Sequence, residues 1–175
     1  DAAPEPQSAY AKSKWKGEKY LMSLRGAEGD EAIPFYLIRT SRLFGPTGAG
    51  EGAKKNFVET MIDLVKNQGK TELDLIDEEV SSPTYAADLA RATRELIESG
   101  APAGIYHRTN SGACTWYEWA REIFQLAGLP VKLNPVPADK FSRPAPRPKF
   151  SKLLTAKLPP LRPWPEALKD FLSNF

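Results

Sequence analysis

The sequence is poor in the residues that build disulfides and metal sites. It holds one cysteine, Cys114, and one histidine, His107. A lone cysteine forms no internal disulfide, and a zinc site of the usual kind needs several Cys or His ligands. No apolar run approaches the roughly 20 residues a membrane-spanning helix requires, and no leader pattern stands at the start. A soluble, unexported, cytoplasmic protein is expected. Nor is charge of one sign in excess. Lys+Arg number 24 against 22 Asp+Glu, a formal charge of +2, far from the basic face that nucleic acid demands. A phosphate cradle is also missing. The glycine-rich run Phe44–Gly52 lacks the Gly-Lys-Ser/Thr ending of a P-loop and the spacing of a dinucleotide fingerprint. It reads as a flexible loop at the carboxyl end of a strand.

What is present is ordinary globular composition: 175 residues, 41% hydrophobic and 26% charged, enough for one domain with a real core and hardly for two. Sixteen prolines cluster at the start and in the last third. The chain opens Asp1-Ala2-Ala3-Pro4-Glu5-Pro6 without an initiator methionine. A mature N-terminus or the cut end of something longer would look like this, and the second reading is preferred.

A helix is predicted from Ser8 to about Leu24, with apolar Tyr10, Trp15 and Leu21. Arg25–Glu31 reads as a surface loop. Ile33–Thr40 is a dense run of β-type residues, as in a parallel strand buried on both faces. Phe57, Val58, Met61, Ile62, Leu64 and Val65 form a helical stripe stopping at Gly69. Leu73–Ile76 is a short strand. Ser82-Pro83-Thr84 leads into a helix through Ala86, Leu89, Ala92 and Leu96, closed by Gly100. Gly104–His107 is another strand, and Val131–Asn134 a further candidate. Thr115-Trp116-Tyr117-Glu118 is a capping box opening a helix that ends at Gly128, with Trp116, Trp119, Ile123 and Phe124 read as its buried stripe. Pro130–Pro163 is expected to be mostly extended, and Pro165–Phe175 to be a short closing helix. Alternating strands and helices predict an α/β fold with parallel strands. The first strand looks central, yet strands are few, so the chain reads as half of a sheet.

Tyr10 and Lys14 are four residues apart, one above the other on a helix. An ammonium beside a phenol favours the charged form, which suits a proton donor at neutral pH. Chance also supplies such a pair in a lysine-rich chain with six tyrosines, so the spacing alone is weak.

The residues downstream carry more. Tyr10-x-x-x-Lys14-x-x-Gly17-Glu18, Ile38-Arg39-Thr40-Ser41, Asn56-Phe57-Val58-x-Thr60-Met61 and Ser82-Pro83-Thr84-Tyr85-Ala86-Ala87-Asp88-Leu89-Ala90 stand in that order. Gly104–His107, Ser111-Gly112, Thr115–Glu118, Arg147-Pro148-x-x-Ser151, Lys157-Leu158 and Trp164-x-x-Ala167-Leu168 continue it. In this order and spacing the chain resembles the dTDP-4-dehydrorhamnose reductases, which are extended short-chain dehydrogenase/reductases. The Ser82–Leu89 run is distinctive, whereas the Tyr/Lys pair is shared by the wider superfamily.

The resemblance covers the second half of such proteins and implies part of a Rossmann-like parallel sheet with helices on both faces, plus a small substrate-binding region. Residues 1–110 would belong to the NAD(P)-binding domain and 111–175 to the substrate-binding region, the two interleaving. The glycine fingerprint and the Ser/Thr partner of the catalytic tyrosine would lie upstream of Asp1. The chain would then be a fragment, or one part of a split protein, completed by a missing N-terminal half or a complementary chain and inactive alone. The implied reaction is NADPH-dependent (or NADH-dependent) reduction of dTDP-4-dehydro-L-rhamnose to dTDP-L-rhamnose. The resemblance also allows assistance by Mg2+ and a homodimer. No nucleic-acid or membrane partner is implied.

Carried over residue by residue, Tyr10 would protonate the sugar carbonyl oxygen, and Lys14 would bind the nicotinamide ribose and assist Tyr10. Thr40 and Ser41 would lie near the cofactor at the end of the central strand. Arg42 stands where the family has an aromatic residue packed on the sugar; it is a candidate substrate contact, since an Arg could still cover a sugar face or meet a phosphate, but the departure puts the exact sugar nucleotide in question. Asn56 is a candidate substrate contact, but it also precedes an apolar helix, and the N-cap is the preferred reading. Arg147 is a candidate for the diphosphate. Two alternatives remain: a non-catalytic regulatory or binding subunit of reductase type, and another extended-family nucleotide-sugar epimerase or dehydratase.

Overall fold

A computed structural model describes residues 5–24, 35–145 and 147–175. The first four residues, the predicted loop Arg25–Glu31 and the predicted strand start at Ile33 and Pro34 lie outside the described residues. The order is α1 (Ala9–Leu24), β1 (Tyr36–Arg39), β2 (Leu43–Phe44), α2 (Phe57–Lys66), β3 (Glu72–Ile76), β4 (Thr84–Tyr85), α3 (Ala86–Glu98), β5 (Gly104–His107), β6 (Asn110–Ser111), α4 (Trp116–Ala127), β7 (Lys132–Val136), β8 (Leu161–Pro163) and α5 (Trp164–Ser173).

The strands form four parallel pairs, β1 with β5, β2 with β4, β3 with β7 and β6 with β8. The α/β reading with parallel strands therefore holds. The four predicted strands are present, and β2, β4, β6 and β8 are additional. Those four are two or three residues long, too short for a period-2 pattern to register. The β1 strand departs from expectation. Only Leu37 is buried, while Tyr36, Ile38 and Arg39 are half-buried, because β5 is its only ladder partner among the described residues.

Local chemistry sets the helix starts. The Asn56 side chain accepts from the amides of Val58 (2.9 Å) and Glu59 (3.2 Å), and the Glu59 carboxylate accepts from the Asn56 amide at 3.0 Å. Thr115 and Glu118 make the predicted capping box in the same way. Each such pair satisfies orphan N–H groups of the first turn. Gly128 ends α4 with φ 64°, a left-handed conformation that glycine adopts without a Cβ clash.

One hydrophobic cluster runs from Phe44 to Phe171. Phe44 is its hub: its ring stacks on Tyr85 at 5.4 Å and meets Trp119 and Phe171 edge-on at 5.8 and 5.9 Å. α2 contributes Val58 and Ile62, α4 contributes Ala120 and Ile123, and α5 contributes Ala167 and Leu168.

Asp88, 1% exposed, is the most deeply buried charge among the described residues. It accepts from Arg162 Nε (2.8 Å) and Nη2 (2.9 Å) and from the Asn110 amide (2.8 Å). Asn110 in turn accepts from the Tyr85 amide at 2.8 Å. The knot ties α3, β4, β6 and β8 together. Burial pushes the Asp88 carboxyl up, but donation from Arg162 and Asn110 outweighs it and holds the group below the ordinary carboxylate value. A carboxyl depressed in the folded state stabilises above its unfolded pKa and loses that contribution as pH falls. Asp88→Ala should lower the unfolding free energy by about 3 kcal/mol in urea titrations at neutral pH. The deficit relative to wild type should shrink below about pH 4, where the unfolded carboxylate protonates.

Candidate active site

α1 presents Tyr10 and Lys14 outward. Its half-buried positions are Ala11, Trp15, Glu18 and Met22, at helical spacing, and none of its side chains is fully buried. Trp15 faces inward, whereas Tyr10 (72% exposed) and Leu21 face solvent. Lys14 Nζ lies 5.3 Å from the Tyr10 ring centroid, so the four-residue spacing does bring the ammonium onto the phenol. Glu18, one turn further, receives Arg39 Nε at 3.0 Å and Nη2 at 2.6 Å.

Thr40 and Ser41 follow β1 and are half-buried. The Thr40 hydroxyl is shielded from solvent and has no hydrogen-bond partner among the described residues.

Arg42 has φ 42°, a left-handed conformation uncommon for a residue with a Cβ. The kink turns its side chain inward. Nη1 donates to the Cys114 carbonyl at 3.0 Å and Nη2 to the Glu79 carbonyl at 2.6 Å, and the guanidinium lies 3.9 Å from the Trp116 ring centroid. Burial pushes its pKa down to about 10, which leaves it charged at neutral pH. Arg42 thus acts as a clamp behind Trp116 and not as an open contact for a sugar or phosphate. Cys114 is buried, and burial pushes its thiol up to about 12, so it is an inert packing residue.

Trp116 packs against the hydrophobic cluster, as its periodicity predicted, but only one side of it is enclosed. It is half-buried and lines a cavity of about 260 Å³ with Phe57, Asp74, Leu75, Ile76, Phe141, Arg143 and Arg147. The capping box carried the missed signal. It makes Trp116 the first residue of α4, at the open end of the helix. Its Nε1 donates to Glu79 Oε2 at 2.9 Å, and Arg143 Nη1 donates to Glu79 Oε1 at 2.7 Å. Glu79 is 4% exposed, so one buried carboxylate fixes both an aromatic floor and a cationic wall. Sequence gave no hint of Glu79 or Arg143, which lie 64 residues apart. Arg147 is exposed, 5.9 Å from the Trp116 ring centroid.

Asn56 does not reach this cavity with its side chain. Its oxygen caps α2, and its amide donates to the Gly45 carbonyl at 2.6 Å. The glycine-rich loop is held from the same place, since the Glu59 carboxylate accepts from the amide of Thr47 at 3.1 Å and from its hydroxyl. The loop is a cap elaboration. Tyr10 with Lys14, and Arg42 with Arg147 around Trp116, are therefore the sequence-selected residues brought together.

Among the described residues no group of three or more His, Cys, Asp or Glu is arranged to hold a metal ion, so the Mg2+ expectation finds no ligand set. No helix there is long and apolar enough to cross a membrane.

The arrangement offers a proton donor with a cation on an exposed helix face. Separately it offers an aromatic-floored, arginine-walled cavity, suited to a flat ring with an anionic group attached.

Comparison with known proteins gives a consistent picture. Residues 1–175 match the family model described as the RmlD substrate binding domain. The chain is 37% identical over 174 residues to the spore coat polysaccharide biosynthesis protein SpsK of Bacillus subtilis, covering 97% of this chain and 56% of that protein. It is 36% identical over 174 residues to the dTDP-4-dehydrorhamnose reductase of Mycobacterium tuberculosis, covering 96% and 53%. The crystal structure of dTDP-4-dehydrorhamnose reductase from Bacillus anthracis in complex with NADP superposes with a TM-score of 0.85 at 31% identity, covering 99% of this chain and 58% of that one. The chain spans about half the length of the curated relatives it matches.

Replacing Arg42 by Ala should free two carbonyls and one face of Trp116. Stability should fall by about 1–3 kcal/mol, and tryptophan emission should shift to the red. Arg42→Lys should recover little, because an ammonium lacks the planar fork.

Proposed function

Because the chain belongs to the dTDP-4-dehydrorhamnose reductase family, matched over residues 1–175 by its substrate-binding-domain model, we propose that it carries the proton-donating and substrate-holding half of an NADPH-dependent reductase. The reaction is reduction of dTDP-4-dehydro-L-rhamnose to dTDP-L-rhamnose. The observation that carries this reading is the exposed Tyr10 ring with Lys14 Nζ 5.3 Å from its centroid.

The chain's own residues fit the nicotinamide end of such a cofactor. Tyr10 and Lys14 are open to it, and the Thr40 hydroxyl beside β1 is shielded and unpartnered among the described residues. The NADP complex of the Bacillus anthracis relative supports NADPH. When bound, the cofactor supplies a hydride for the carbonyl carbon. Tyr10 gives its hydroxyl proton to the carbonyl oxygen, so that a ketone becomes a secondary alcohol. Lys14 keeps a positive charge beside the tyrosine while that proton leaves, and it offers donors to ribose hydroxyls.

The nucleotide end goes to the second locus. Trp116 and Phe57 offer faces for the thymine, and Arg143 and Arg147 offer guanidinium donors for the diphosphate. Residues 1–110 serve the Rossmann-like domain and residues 111–175 the substrate region. A nucleotide-binding half, on the same chain or a complementary one, completes the site.

In the complete reductase, NADPH oxidation with the 4-keto sugar nucleotide should fall by about 10²–10⁴ in Tyr10→Phe. Turnover unchanged in Tyr10→Phe would exclude the acid role.

A further inference from the structure

α1 is held to the rest of the protein in an unusual way. It carries the reacting pair, yet it buries no side chain completely. Among the described residues its hydrogen-bonded tie to the sheet is the Glu18 carboxylate, gripped by both Nε and Nη2 of Arg39. The two side chains are 20% and 28% exposed, so this is a shielded, two-pronged pair and not a solvated surface contact.

The grip is oriented from behind. Arg39 ends β1 and His107 ends β5, and the two stand opposite each other in the ladder. His107 Nδ1 lies 3.1 Å from the Leu154 carbonyl. A carbonyl only accepts, so Nδ1 carries the hydrogen and Nε2 presents its lone pair. Arg39 Nη1, 3.4 Å away, faces that lone pair. The guanidinium is therefore spanned between a carboxylate on α1 and an imidazole on the sheet. Its direction is set by three separate segments.

Tyr10, Lys14 and Glu18 follow one another at four-residue intervals. Glu18 lies about 12 Å along the axis from Tyr10 and on the half-buried side of the same rigid helix, whereas Tyr10 and Lys14 face outward. A rotation or slide of α1 that breaks the Glu18–Arg39 grip moves the phenol and the ammonium with it. We propose that Arg39, acting through Glu18 and oriented by His107, is a positioning residue that fixes how α1, and with it the Tyr10–Lys14 pair, is seated against the ends of β1 and β5. This inference rests on the proposed reductase function for its catalytic consequence, but its structural part stands on the contacts alone.

The test uses the complete protein and two readouts. The first is amide hydrogen exchange in Arg39→Gln and Glu18→Gln. Exchange across residues 9–24 should quicken by about tenfold, while α4 keeps its wild-type protection. The second is steady-state kinetics. Misplacing the reacting pair should lower kcat by about 10², with KM for the sugar nucleotide within about twofold, since neither residue touches the Trp116 cavity. The charge-swapped double variant Glu18→Arg/Arg39→Glu should recover part of both effects. Unchanged exchange in residues 9–24, or an equal rise in α4, would overturn the positioning role. So would a rise in KM with kcat intact. If the wild-type protein turns over no 4-keto sugar nucleotide, the reductase reading alone falls, and the exchange arm still decides whether Arg39 holds the helix.

Discussion

A carboxylate that cannot reach water governs how this chain closes on itself. Asp88 sits in the first turn of α3, and its partners Asn110 and Arg162 come from 22 and 74 residues further along. A buried charge is tolerable only when fully paired, so β6 and β8 have to meet α3 at this point. Once β8 is placed, α5 follows directly, and its Ala167, Leu168 and Phe171 complete the core shared with Phe44 and Trp119. α4 is seated by that core, and its first residue is Trp116. The distant ionic knot thus sets where the cavity floor can be.

The two loci of the site are built on opposite physical terms. The cavity has a fixed floor and one fixed wall. Trp116 has Arg42 on its ring and Glu79 on its indole nitrogen, and Glu79 also holds Arg143. A recognition surface gains from such fixing, because little ordering is left to be done on binding. The Tyr10 helix is open and shallowly seated, tied through Glu18 to the ends of two strands. That would suit the proton donor proposed here, whose remaining neighbours the proposed nucleotide-binding half would supply.

Much of the fold was legible because its signals are local. Asn56 with Glu59 and Thr115 with Glu118 are three residues apart, and the caps follow from that spacing. The apolar stripes of α2 and α4, and the stop at Gly128, are likewise readable within a few turns. The Tyr10–Lys14 juxtaposition belongs to the same class. What stayed hidden was either too short or too distant. Two-residue strands such as Leu43–Phe44 carry no periodicity, and pairs such as Glu79–Arg143 or Asp88–Arg162 leave no mark in any local window. Arg42 is the instructive case. Its departure from the family aromatic was visible, but its inward turn depends on a positive φ and on the carbonyls of Glu79 and Cys114. Trp116 was read only in part: it packs against the core, but a tryptophan at helical spacing does not show that its other side lines a cavity.

The central claim is that this chain holds the sugar-nucleotide side of the reaction and only one edge of the cofactor side. Isothermal titration of the 175-residue chain with dTDP and, separately, with NADPH tests it most directly. The account predicts measurable dTDP binding that is lost in Trp116→Ala, and no NADPH binding at micromolar concentrations. Micromolar NADPH affinity, or dTDP binding that survives the loss of Trp116, would contradict it.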